Sequence, residues 1–141
     1  MLLLLLILNN TTNRELKMSQ KLLLPIVTLI KAGFESSSGK TPEFKAFARK
    51  FKAAMKKTIE ESGGTLEKFN TGHFECSGVY SVNGKFGYFS ICDVRSQSLG
   101  ANAIMYRTVT DVTARKSGSN NWGELDNENI GKRMISLIER S

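Results

Sequence analysis

The chain has 141 residues, 20 of them basic and 13 acidic, for a net charge of +7 at neutral pH. That length suits one modest domain around one core and argues against two. The positive balance favours an anionic partner, whether a nucleotide, a nucleic acid or an acidic protein surface, without choosing among them.

The first apolar run, Leu2 to Leu8, is seven residues long and has neither a basic residue before it nor a small-residue cleavage site after it. It is too short to span a bilayer and poorly formed as a secretory signal. Residues 1 to 17 read as a dispensable extension, with Met18 as an internal start. A short helix capped near Ser19 is expected through Leu22 to Ile30, shortened or kinked at Pro25, so no membrane span is expected. The polar linker Glu35 to Thr41 resembles a phosphate-binding loop only superficially. Gly33 and Gly39 are separated by five residues where that motif has four, and no strand precedes them.

Thr41-Pro42 reads as a helix N-cap followed by proline at the first helical position, with Glu43 complementing the dipole. A helix is predicted over residues 42–62. Its apolar face is Phe44, Phe47, Ala48, Phe51, Met55 and Ile59, and Gly63-Gly64 ends it. The opposite face carries Lys45, Arg49, Lys50, Lys52, Lys56 and Lys57, either a solvated surface or a phosphate-tracking one without aromatic stacking residues.

A first strand is expected at Thr65 to Phe69, and then a long hairpin. Asn83-Gly84 between two aromatic and β-branched runs is a strong hairpin signal, because both residues tolerate the positive φ of a type I′ turn. The two-residue loop sets the register: Val82 faces Lys85, Tyr80 faces Gly87, Gly78 faces Phe89 and Cys76 faces Ile91. Phe74, Cys76, Tyr80, Val82, Phe89 and Ile91 then share a core-like face. The other face carries His73, Glu75, Ser77, Ser81, Ser90 and Cys92 with Val79, Phe86 and Tyr88, an exposed surface or the wall of a polar pocket. Cys76 and Cys92 project to opposite faces, so they are read as thiols of a reducing cytoplasm.

A fourth strand is expected over Ala103 to Val112, with Ile104, Tyr106, Thr108 and Thr110 on one side and Met105, Arg107, Val109 and Asp111 on the other. Residues 113–129 read as a polar loop around Trp122. A closing helix follows from Asp126 or Asn127 to Arg140, with Ile130, Met134, Ile135, Leu137 and Ile138 as its stripe. The expected fold class is α+β: N-terminal helices, an antiparallel sheet built around a long hairpin, and a C-terminal helix, in one ligand-binding domain over residues 18–141.

Little points to catalysis. The single histidine, His73, has no nucleophile set beside it by sequence. His73, Cys76 and Cys92 alternate in face and make an awkward metal site, and Glu75, Asp93 and Asp111 lack a spacing that pairs them. No enzyme activity, metal or cofactor is expected. The remaining signature is one of binding. Arg95 follows a strand end, Arg107 lies in the last strand, and Ser117 to Trp122 offers glycine-bordered amides, two asparagines and an aromatic plane. Arginine suits phosphate oxygens, asparagine a purine edge and an aromatic a base, although an ordinary polar loop has the same parts.

Gly72-His73-Phe74, Ser77-Gly78, Asn83-Gly84, Tyr88-Phe89-Ser90, Asp93-Val94-Arg95, Arg107-Thr108 and Gly118-Ser119-Asn120-Asn121 together resemble the phage anti-Thoeris family, the first type of Thoeris anti-defence proteins. The resemblance covers about the last two-thirds of the chain. It departs from the family pattern at Thr113-Ala114-Arg115-Lys116-Ser117. It implies a non-enzymatic sponge in the host cytoplasm, a homodimer or larger homo-oligomer, that sequesters a cyclic ADP-ribose signal or a cyclic oligonucleotide. It also implies ligand contacts from Arg95, Arg107, Thr108, Asn120 and Asn121, with Tyr88 or Phe89 stacking on a base. The alternative is a basic nucleic-acid-binding or protein-inhibiting phage accessory protein. A small hydrolase of cyclic nucleotides comes third.

Overall fold

The computed structural model describes residues 42–72, 75–92, 103–113 and 118–141. The N-terminal extension, the expected helix at Leu22 to Ile30, His73 and Arg95 lie outside the described residues. The order of elements is α1 (Pro42–Glu61), β1 (Thr65–Gly72), β2 (Glu75–Val82), β3 (Lys85–Cys92), β4 (Ala103–Val109), β5 (Asn121–Glu124) and α2 (Ile130–Glu139). The five strands form one antiparallel sheet in the order β1-β2-β3-β4-β5, so each strand pairs with its neighbour in sequence. The fold class is α+β, as the pattern of elements implies.

Helix α1 ends through a Schellman motif. Gly63 takes φ 98°, Gly64 N–H donates to Ile59 O at 2.9 Å, and Gly63 N–H donates to Glu60 O at 3.1 Å. Its apolar face (Phe44, Phe47, Phe51, Met55 and Ile59) is buried together with Ile130, Met134, Ile135 and Ile138 of α2. Both helices pack onto the sheet face carrying Cys76, Tyr80, Val82, Phe89, Ile91, Ile104 and Tyr106. Phe51 centres the aromatic packing, with ring centroids 6.0 Å from Phe47, 6.0 Å from Phe69 and 6.2 Å from Phe89. On the opposite side of α1, Lys45, Arg49, Lys50 and Lys52 are exposed. Lys56 and Lys57 approach Glu60 and Glu61 one turn on, at 4.0 and 3.9 Å, in pairs too solvated to contribute much.

The hairpin register matches the sequence expectation pair for pair, from Val82↔Lys85 to Cys76↔Ile91. Asn83 (φ 50°) and Gly84 (φ 79°) both take the left-handed conformation that a type I′ turn requires. Two glycines of the hairpin lie under aromatic rings: a Cβ at Gly78 would come within 2.6 Å of the Phe89 ring, and one at Gly87 within 2.6 Å of Tyr80 Cε1.

Three expectations need correction. β1 runs on to Gly72 and carries an irregularity between Leu66 and Lys68, where the Glu67 carboxylate accepts a bond from Ser81 Oγ at 2.6 Å. β4 stops at Val109, because Asp111 Oδ1 accepts bonds from the backbone N–H and hydroxyl of Thr113 and turns the chain. The stretch read as one polar loop contains β5, and α2 begins only at Ile130, after Asn127 Oδ1 has accepted the Asn129 N–H at 2.8 Å.

Candidate functional site

Strand parity sends alternate residues of β2, β3 and β4 away from the helices, and the pairing aligns them in rows. One row crosses four of the five strands: Lys68, Val79, Tyr88 and Arg107 are consecutive cross-strand partners. Asn120 comes next, one residue before β5 begins. The neighbouring row is Asn70, Ser77, Ser90, Met105 and Trp122. Among the described residues, neither helix packs on this face.

This face is not a uniformly solvated surface. Val79 at its centre is only 1% exposed, and Ser90, Ala103 and Val109 are buried too. Over that dry floor sits a connected polar group. The Arg107 guanidinium lies 4.5 Å from the centroid of the Tyr88 ring, a cation–π contact between direct cross-strand partners. Its Nη1 donates to Asn120 Oδ1 at 3.4 Å. The Tyr88 hydroxyl donates to Glu75 Oε1 at 3.2 Å, and Ser90 Oγ donates to the same oxygen at 3.1 Å. Burial, the largest cause, raises the Tyr88 phenol above its ordinary pKa. The nearby Glu75 charge adds to the rise, and hydrogen bonds from Ser77 and Ser90 oppose it, so Tyr88 stays protonated at neutral pH. Arg107 Nε is buried, with no hydrogen-bond partner among the described residues. The guanidinium as a whole is a planar cationic fork of the kind that suits a carboxylate or phosphate oxygen.

The structure brings together three of the residues expected at the site, Arg107, Tyr88 and Asn120, and separates three others. Phe89 is 0% exposed and packs between Phe51 and Tyr80 in the core, so it has no face to offer a ligand. Thr108 lies one residue along from Arg107 and points to the helix side, where a Cβ on Gly118 would run into its hydroxyl. Asn121 is likewise one residue from Asn120; it pairs with the core residue Tyr106, and its Nδ2 donates to Ser119 O at 3.0 Å. Arg95 lies outside the described residues. Glu75, Ser90 and Trp122 also belong to this face: the first two lie on the hairpin side read as an exposed surface or a pocket wall, and Trp122 is the aromatic plane of the binding signature, though none was among the ligand contacts that the family resemblance implies. The hairpin register already placed Glu75 and Ser90 together, whereas Trp122 joins only through a strand too short to read.

Among the described residues, no group of His, Cys, Asp and Glu could hold a metal ion, and no helix is long and apolar enough to cross a membrane. Comparison with protein-family models, curated proteins and solved structures finds no match to this chain.

Proposed function

We propose that this protein is a phage anti-defence sponge that binds a cyclic nucleotide immune signal, a cyclic ADP-ribose isomer or a cyclic oligonucleotide, and holds it without degrading it. The observation that carries this reading is the Arg107 guanidinium, laid over Tyr88 and bonded to Asn120 on a sheet face that neither described helix covers. The cluster supplies phosphate-binding and hydrogen-bonding groups around an uncharged tyrosine. The resemblance of the hairpin and of the Arg107 and Asn120 motifs to the anti-Thoeris family adds the class of ligand. Two copies pairing across a two-fold axis could complete a deep site around Arg107 and Tyr88, so the working species on this reading is a homodimer or larger oligomer in the host cytoplasm.

Calorimetry with cyclic ADP-ribose isomers and a panel of cyclic di- and trinucleotides tests the proposal. Saturable heat is expected from at least one member, and heating the complex should release that ligand chemically unchanged. No heat from any member would remove the reading, and recovery of a hydrolysed product would replace sequestration with catalysis. Light scattering should find twice the monomer mass or more. The exposed Lys45, Arg49, Lys50 and Lys52 of α1 favour a second reading, a binder of nucleic acid or of an acidic protein. Steep weakening of binding with added salt would mark that mode, while a site with few phosphate contacts responds mildly.

A further inference from the structure

Trp122 stands 51% exposed on the sheet face opposite the two described helices. A large indole left in water is an unusual use of the residue, since burying it would be strongly favourable. Its strand is held firmly from behind. On the helix side of β5, Gly123 lies so close to α2 that a Cβ there would come within 2.6 Å of Ile130 Cδ1, and Leu125 just beyond the strand is fully buried. The indole is thus an exposed aromatic on a fixed backbone, and ordering it on a ligand costs little entropy.

Its position relative to Arg107 defines what it could hold. Trp122 pairs with Met105, two residues before Arg107 on the same face of β4. Arg107 and Trp122 are therefore diagonal neighbours, with backbones roughly 7–8 Å apart. One offers a flat apolar surface and the other a cationic guanidinium. A nucleotide has the complementary pair of groups, a base and a phosphate held apart by a sugar. The other aromatics of the sheet are less suited. One face of Tyr88 is taken by the Arg107 guanidinium, Phe89 is in the core, and Phe86 is half-buried at the hairpin end beside its partner Val109.

We propose that Trp122 is the base-stacking residue of this site, so that a bound nucleotide lays its base on the indole and turns its phosphate oxygens toward the Arg107 guanidinium. This inference rests on the nucleotide-binding reading above and adds the residue that recognises the base. Trp122 is the only tryptophan in the chain, so its fluorescence reports this position alone. Titration with cyclic ADP-ribose and with cyclic di-AMP, beside calorimetry of the same mixtures, is expected to quench the indole emission over the concentration range that gives heat. Ribose 5-phosphate, which lacks a base, should leave the emission unchanged. Trp122→Ala should weaken binding roughly 5- to 150-fold, the range for losing one base–aromatic stack, while Trp122→Phe keeps most of the affinity. Both the quench and the affinity loss are required. Heat without quench, or Trp122→Ala binding as tightly as the parent, overturns the stack and leaves the nucleotide reading standing. Absence of heat from either nucleotide overturns the stack together with the reading it rests on.

Discussion

Tyr80 and Gly87 are cross-strand partners in the hairpin, and the ring of one occupies the space that a side chain on the other would need. The same tyrosine then reaches α2, donating its hydroxyl to Met134 O at 2.8 Å. One residue thereby fixes the hairpin against the closing helix. Gly87→Ala should destabilise the fold by about 1–3 kcal/mol through overpacking. Tyr80→Phe, which keeps the ring and loses the bond, should cost about 0.5–1.5 kcal/mol. Urea denaturation measures both, and a neutral Gly87→Ala would show that the ring moves aside freely.

Removing the ring at the centre of the aromatic packing should be more severe. Phe51→Ala takes away a fully buried side chain that meets Phe47, Phe69 and Phe89, and a loss of about 3–5 kcal/mol is expected. Lys52→Ala, one residue along on the exposed side, should stay within about 0.5 kcal/mol. Equal effects in thermal or chemical melts would mean that α1 does not pack on this face.

Alkaline pH should unfold the protein through Tyr80. Burial, with Tyr106 adding to it, pushes the Tyr80 phenol far above the ordinary tyrosine range. The native state therefore keeps its proton where the unfolded chain, with a phenol pKa of about 10, gives it up. Stability from this group is complete below pH ~10 and falls as pH rises further. Phenolate absorbance should show one tyrosine ionising only together with unfolding, and Tyr80→Phe should remove that step. Ionisation of all three tyrosines while the fold persists would contradict this placement of Tyr80.

At the candidate site, Arg107→Ala should weaken nucleotide binding by roughly 1.5–3 kcal/mol, the range for a hydrogen bond to a charged group. Arg107→Lys should rescue little, because an ammonium keeps the charge but loses Nε and the plane that stacks on Tyr88. Lys52→Ala on α1 should bind like the parent. Calorimetry on the three variants separates a discrete site from diffuse attraction: if Lys52→Ala and Arg107→Ala weaken binding equally, the site lies elsewhere.

Much of this arrangement is legible in the sequence because Asn83-Gly84 determines a turn and the turn determines a register. From there the alternation of β2 and β3 separates Tyr80 and Phe89 from Tyr88 and Ser90. The same parity limits what motif resemblance can assign. Arg107-Thr108 and Asn120-Asn121 read as units along the chain, yet adjacent residues in extended backbone point to opposite faces, and only Arg107 and Asn120 share one. β5 escapes because Asn121–Glu124 is four residues long and contains a glycine. Its extended conformation comes from pairing with β4 and from the tight approach of Gly123 to Ile130, both tertiary effects.

The interleaving of the two faces has a consequence for divergence among chains of this kind. Ser77, Val79, Tyr88, Ser90, Met105, Arg107 and Trp122 alternate in sequence with residues that meet the helices, and none of the seven belongs to the core that those helices share. Selection for a new ligand can rewrite every second position of β2 to β4 while the intervening positions keep the hairpin and its core intact. Sequence comparison over such a segment would show a two-residue rhythm of retained and drifting positions, and recognition could change completely in a lineage whose fold had not changed at all.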